Sequence, residues 1–248
     1  MCASAGNFGQ AMAYACRRRG MPIDVFASRT ASAVKIDAMR GLGADVRIAG
    51  EDFDEAKEAA RAYARTTGAR MVEDGLEPSI AEGAGTIAVE LLAGPWEIDV
   101  VVVPLGNGAL LGGVARWVKA VSPHVEVIAV QATGAPAMER SWRTGELVEV
   151  PADTIADGIA VRVPIPQAVA DMCGVVDDVL LVDDGATIEA VRMCHRGLGL
   201  VVEPAGAVGI AAVASHGSRF SGRQVATILC GGNVAAAEVA AWCSAGDA

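Results

Sequence analysis

The sequence predicts an α/β fold of doubly wound parallel sheets, and three observations predict it. Amphipathic helical stretches alternate with short β-branched runs along the whole chain. Hydrophobic residues make up 52% of the 248 positions and aromatics only 4%, an Ala-, Val- and Gly-rich mix that suits buried parallel strands flanked by small-residue helices. Three glycine-rich stretches also fall where a strand should hand over to a helix: Ser4-Ala5-Gly6-Asn7, Gly106-Asn107-Gly108-Ala109-Leu110 and Cys230-Gly231-Gly232-Asn233.

The elements follow in order. Residues 8–19 place Phe8, Met12, Ala15 and Cys16 on one helical face with Gly20 as the stop, and 23–27 reads as a buried strand. Ser32 caps a helix through 40, residues 45–48 form a strand, and Asp52 with Glu55 makes a capping-box start for a charged helix through about 66. Residues 71–73 are the next expected strand. A helix over 78–92 leads to Val100-Val101-Val102-Val103-Pro104, a continuous run typical of a central parallel strand buried on both faces. Then come a helix over 110–120, a strand over 125–130, a short helix over 135–143 and an irregular stretch through about 166. Strands at 179–182, 200–202 and 225–229 alternate with helices ending at 196, starting at 205 and starting at about 234.

Charge and cysteine usage exclude several classes. A net charge of −10, with no basic run beyond Arg17-Arg18-Arg19, leaves no electrostatic footprint for nucleic acid and points to a small-molecule ligand. The six cysteines are scattered without C-x-x-C spacing, which reads as reduced thiols in a cytoplasmic protein rather than disulfides or zinc. No apolar signal core follows Met1 and no run has the length of a membrane span.

Each glycine stretch has a chemical and a structural reading. The 106–110 loop joins a buried strand to a helix, so its amides and the helix N-terminus favour an anion such as a phosphate; it is equally an ordinary βα turn. A dinucleotide site would want an acid at the end of the next strand, and that strand ends at Val130-Gln131. The Ser4-Ala5-Gly6-Asn7 loop opens a helix whose first amides can take a carboxylate, or it is a Ser/Asn cap. Cys230 closes a strand before two glycines and is either core filler or a site thiol.

In this order and spacing the three stretches resemble the pyridoxal phosphate enzymes of the threonine/serine dehydratase family, known as fold type II. Segments around Val201-Val202-Glu203-Pro204-Ala205-Gly206-Ala207, Thr154-Ile155-Ala156-Asp157-Gly158 and Gly134-Ala135-Pro136-Ala137-Met138 look alike as well. The resemblance implies two doubly wound domains of the tryptophan synthase β-like type, a small one over 1–76 and a large one over 77–248 that lacks its N-terminal part. It implies pyridoxal 5'-phosphate as cofactor, with Asn7 on its phenolic oxygen, Gly106, Asn107, Gly108, Ala109 and Leu110 around its phosphate, and Cys230 facing the pyridine nitrogen. Ser4, Ala5, Gly6, Asn7 and Phe8 would take the carboxylate of a small amino-acid substrate, and the complete protein would be a homodimer. Glu203 reads as an acid at a helix N-terminus, outside the site.

The sequence departs from the family at several positions. Phe8 stands where many relatives have His, and Asn107 and Ala109 interrupt a run of glycines. Ala5 replaces the second serine of the racemases, and Gln131 and Ala137 are not the carboxylates of metal-stimulated members, so no metal is expected. The family's Schiff-base lysine lies in a segment resembling Ser-Phe-Lys-x-Arg-Gly, several tens of residues before the first glycine loop, and here that loop begins at Ser4. The three lysines, Lys35, Lys57 and Lys119, are expected to be exposed and away from the glycine loops. No catalytic residue is therefore assigned. The expected function is that of an ammonia-lyase eliminating the β-hydroxyl of a small hydroxy amino acid to give a 2-oxo acid and ammonia, with these residues an inactive fragment of it. The alternative is a non-catalytic binding or partner protein that kept the fold.

Overall fold

Parallel strands form two separate sheets in the computed structural model, which describes residues 1–4 and 6–243. The chain divides into the units Met1–Glu73 and Asp74–Ala248.

The first unit holds β1 (Cys2–Ala3), β2 (Asp24–Ala27) and β3 (Asp45–Ile48) in the order β1-β2-β3. Val25 stands opposite both Cys2 and Val46, and these three face α1 (Asn7–Arg18) and α2 (Ala33–Gly41) through Ala13 and Met39. On the other face Ala3 and Phe26 meet Ala60 of α3 (Phe53–Thr67). The α3 start forms as its sequence requires: the Asp52 carboxylate accepts from Glu55 N–H at 2.8 Å, and Glu55 accepts from Glu51 N–H. Ser32 stands at the α2 cap position but makes no capping bond with its side chain. Residues 71–73 are not a strand. Val72 N–H donates to Met1 O at 2.9 Å, and the two-residue β1 ends its pairing there.

The second unit has the order β6-β5-β4-β7, all parallel, from β4 (Val100–Pro104), β5 (Glu126–Ala132), β6 (Asp178–Val182) and β7 (Val225–Thr227). Val101, Val103, Val127 and Ala129 face α5 (Ala109–Val121) and α7 (Pro166–Met172), with α4 (Pro78–Leu92) and α6 (Ala137–Thr144) on the same side. Val100, Val102, Ile128 and Val130 face α8 (Asp184–Leu198) and α9 (Pro204–Ser215), and the short α10 (Gly217–Phe220) adds Phe220. The last helix, α11 (Ala236–Cys243), packs on α8. The α7 helix falls at the end of the stretch expected to be irregular; Pro166 at its first turn supplies a start signal. Residues 200–202 are not a strand: Leu200 and Val201 are exposed, and only Val202 enters the core.

The order of the strands creates the crevice that matters. The chain leaves β4 for β5 and β6 on one side, then returns to place β7 on the other, so the winding reverses between β4 and β7. Open α/β sheets bind ligands beyond the carboxyl ends of the strands at such a reversal. Here those ends carry the 106–110 loop and the segment holding Cys230. No described helix is long and apolar enough to cross a membrane.

Candidate cofactor and substrate site

In the first unit, β1 runs into Ser4, whose N–H donates to Phe26 O at 2.9 Å. The buried Ser4 hydroxyl oxygen accepts from Gly9 N–H at 2.8 Å and Gly6 N–H at 3.1 Å, so it caps α1 and is occupied by the helix. Ala5 lies outside the described residues. Gly6 is the cap residue, and its carbonyl accepts the first return bond, from Gln10 N–H at 3.2 Å. Asn7 is exposed at the first helical position, and Phe8 lies half-buried against the core of the unit. The first turn of α1 contains no acidic residue, so the positive end of the helix dipole is not offset there by its own side chains.

None of the three lysines is exposed as expected, and Lys35 alone departs from its expected place away from the glycine loops. Lys35 is 4% exposed and Lys57 7%. Lys57 pairs with Asp54 at 2.9 Å and lies over the Phe53 ring, while Lys119 pairs with Asp177 at 2.6 Å and donates to Val125 O. Lys35 packs beneath the first glycine loop: a Cβ built on Gly6 would sit 3.1 Å from Lys35 Cδ and 3.6 Å from Nζ. The 3.6-residue period carries the signal for this, because Lys35 and Met39 are one turn apart and Met39 is fully buried.

In the second unit, Leu105 N–H bonds to Val130 O at 2.8 Å, and the chain then turns through Gly106, Asn107 and Gly108 into α5. Gly108 has φ 92°, a left-handed value that only glycine adopts without strain. Ala109 is already helical, and no described non-glycine residue has positive φ, so its Cβ is no obstacle. No side chain caps α5, and the first return bond runs from Gly112 N–H to Gly108 O at 2.7 Å, so the first-turn amides at Ala109 and Leu110 point out of the helix. Asn107 turns its side-chain amide to the Asp74 carboxylate at 3.1 Å, which also accepts from Gly75 N–H. Asp74 is a neighbour of this loop that sequence reasoning missed.

The third stretch joins the second through close backbone approach. A Cβ on Gly106 would lie 2.9 Å from Gly158 O, one on Gly158 would lie 2.9 Å from Ala205 Cβ, and one on Gly206 would lie 3.1 Å from Gly231 N and 3.3 Å from Cys230 N. Glu203 N–H donates to Gly231 O at 3.0 Å, locking the start of α9 to the segment after β7. Cys230 lies three residues beyond the end of β7. Burial, joined by the charge of Glu203, pushes its thiol up to about 11, so at neutral pH it stays protonated and uncharged.

Three loops from different parts of the sequence thus meet at the β4/β7 reversal. The α5 first-turn amides and the uncharged Cys230 thiol both lie beyond the carboxyl ends of this sheet's strands. The chemistry of these donors fits a phosphate-bearing aromatic ligand, with backbone N–H groups at a helix N-terminus for the anion and an uncharged thiol for a ring nitrogen, while the glycines let the loop backbones approach one another. A separate cavity of about 740 Å³ runs along α4, α5 and α7; Gly108 and Ala109 line its end, Cys230 does not. Among the described residues no group of three or more His, Cys, Asp or Glu is arranged to hold a metal ion.

A family profile described as pyridoxal-phosphate dependent enzyme matches residues 1–231. The L-threonine ammonia-lyase of Thermotoga maritima is 37% identical over 235 residues, covering 94% of this chain and 58% of the relative. Serine racemase of Oryza sativa is 33% identical, covering 93% of this chain and 70% of the relative. Among solved structures, processed threonine deaminase isoform 2 from Solanum lycopersicum superimposes with a TM-score of 0.90 at 29% identity, covering 100% of this chain and 73% of that one. Maize serine racemase gives 0.88 at 30% identity, covering 95% and 73%. The chain therefore spans little more than half the length of the threonine ammonia-lyase it matches.

Proposed function

The chain belongs to the pyridoxal-phosphate dependent enzyme family, and on that premise we propose that it carries the cofactor-binding and carboxylate-binding parts of an ammonia-lyase acting on a small hydroxy amino acid such as threonine or serine. The observation that carries this reading is the run of close approaches, Gly106 to Gly158, Gly158 to Ala205 and Gly206 to Cys230, that draws the 106–110 loop and the Cys230 segment together at the β4/β7 reversal. The α5 first-turn amides, with the backbone of Gly106, Asn107 and Gly108, hold the phosphate. The Cys230 thiol faces the ring nitrogen as a neutral group. Unlike a carboxylate, it does not hold that nitrogen protonated, which favours elimination over transamination. The family resemblance assigns Asn7 to the ring hydroxyl, and with Ser4 Oγ taken up by the N–H groups of Gly6 and Gly9 the substrate carboxylate falls to the first turn of α1, at Asn7 and Phe8. When bound, the cofactor supplies the electron sink that acidifies the substrate Cα–H.

Racemase relatives keep a second reading in view, and Ala5 weighs against it: a methyl group offers no proton on the second face of the substrate. The elimination also needs an amine to bind the cofactor and move the α-proton. Lys57 and Lys119 are held in ion pairs, and Lys35 is packed against Gly6 in the first unit; the reading therefore takes this lysine from the segment resembling Ser-Phe-Lys-x-Arg-Gly, which residues 1–248 do not contain. The domain limits near residue 76 and dimeric assembly are part of the same proposal.

Calorimetric titration tests the phosphate cup. Pyridoxal 5'-phosphate is expected to bind at least tenfold more tightly than pyridoxal, a difference of about 1.4 kcal/mol, and inorganic phosphate is expected to compete with it. Equal affinity for the two aldehydes would remove the 106–110 loop from the site. Binding without ammonia release from L-threonine or L-serine, even in a chain extended by the lysine segment, would favour the non-catalytic alternative.

A further inference from the structure

We propose that Lys35 is a positioning residue for the loop at Ser4, Gly6 and Asn7: its ammonium group, delivered beneath Gly6, sets the conformation and local charge with which the start of α1 meets a carboxylate. The inference rests on the reading of that loop as the carboxylate subsite.

The geometry is a matched pair of edges. Lys35 and Met39 lie one turn apart on α2, and Gly6 and Gly9 lie three residues apart at the start of α1. A Cβ on Gly9 would come within 2.4 Å of Met39 Sδ, and one on Gly6 would sit 3.1 Å from Lys35 Cδ. Met39 therefore crosses over Gly9 while the lysine stem crosses over Gly6 and ends with Nζ beside that residue. Gly6 has φ −174°, an extended value open to any residue, so space for Lys35 is what the glycine provides.

Burying the charge has a cost that packing alone does not require. Methionine, as at position 39, would fill the same slot without removing an ammonium from water. What the lysine adds is a positive charge at the N-terminal end of a helix with no acid in its first turn. Its sign matches that of the helix dipole, so the combined field at Gly6 and Asn7 favours a carboxylate more strongly than the helix end alone.

The test uses the full chain with Lys35→Met and Lys35→Arg, read by amide hydrogen exchange resolved by NMR. Lys35→Met keeps the stem volume, so its thermal midpoint should stay close to wild type, while exchange at Gly6, Asn7 and Phe8 rises about tenfold or more and exchange at Met12 to Cys16 is unchanged. Lys35→Arg should stay within about threefold of wild type at the same amides. Exchange in the Met variant within twofold of wild type, or an Arg variant as loose as the Met variant, would overturn the proposal. So would a rise spread evenly over the first unit, which would mark a purely structural lysine. If Lys35→Met fails to fold, Gly6→Ala provides the second route: its Cβ presses on Lys35 Cδ and should loosen the same amides, and their staying unchanged would count against Lys35. The carboxylate reading is tested separately by adding L-serine with pyridoxal 5'-phosphate. Wild-type shifts at Gly6 and Asn7 that weaken about tenfold in Lys35→Met support both claims; no wild-type shift, with the exchange result intact, sinks the subsite and leaves the positioning role standing.

Discussion

Gly113→Ala is expected to destabilise the second unit by about 3 kcal/mol or more, the upper end of what overpacking a core usually costs. The α4 and α5 backbones touch at this point. A Cβ on Gly113 would lie 1.9 Å from Ala81 O and 2.7 Å from Gly85 N, and one on the facing Gly85 would lie 3.0 Å from Gly113 O. Neither obstacle is a flexible side-chain tip, so relief requires one helix to move. Because α5 begins at the proposed phosphate loop, the displacement should reach Ala109 and Leu110 and weaken binding of pyridoxal 5'-phosphate as well. Gly83→Ala on α4 is the control: nothing lies within 4 Å of its Cβ, and better helix propensity should stabilise by about 0.5–1 kcal/mol. Thermal unfolding separates the two, with a midpoint lowered by roughly 6–12 °C in the first variant and slightly raised in the second.

The second large effect lies at the amino ends of β5 and β6 and depends on pH. Arg219 donates to Glu126 at 2.6 Å and to Asp178, Arg223 donates to Glu126 at 2.5 Å, and Arg143 donates to Asp178 at 2.9 Å. Burial alone would raise both carboxyls, but the hydrogen bonds from Arg219 and its neighbours outweigh it and leave both below the usual carboxylate range. A carboxyl lowered on folding stabilises fully above its unfolded value, near 4, and loses that stabilisation as pH falls from there through its folded value. Arg219→Met should therefore cost about 2 kcal/mol at pH 7, because two half-buried carboxylates each lose a charged donor. The difference between variant and wild type should shrink steadily below pH 4. A deficit that stays constant down to pH 2 would mean that Arg219 contributes through packing of its stem.

Much of the fold was legible because parallel α/β units write themselves twice, once in β-branched runs and once in helical period. Val100 to Pro104 read as a central strand and is one, buried along its whole length. The failures share a cause. Residues 71–73 and 200–202 have strand-like composition, yet Val72 finds one backbone partner and Leu200 and Val201 stay in solvent. Pairing is a property of neighbours, and the local sequence does not carry it. Of the proposed site, the 106–110 loop and Cys230 were visible as motifs, but the contacts through Gly158 and Gly206 that draw the two segments together were not. Lys35 was misread for a different reason: lysine is so seldom buried that its place beside Met39 on the inner face of α2 was overridden by its charge.

The most direct measurement of the central claim, that the β4/β7 reversal holds the cofactor, is amide hydrogen exchange of the chain with and without pyridoxal 5'-phosphate, resolved to short segments. The account predicts slowed exchange at residues 107–111 and 230–231, with residues 82–89 and 116–117 along the neighbouring cavity unchanged. Protection confined to that cavity, with 107–111 and 230–231 exchanging as before, would contradict it.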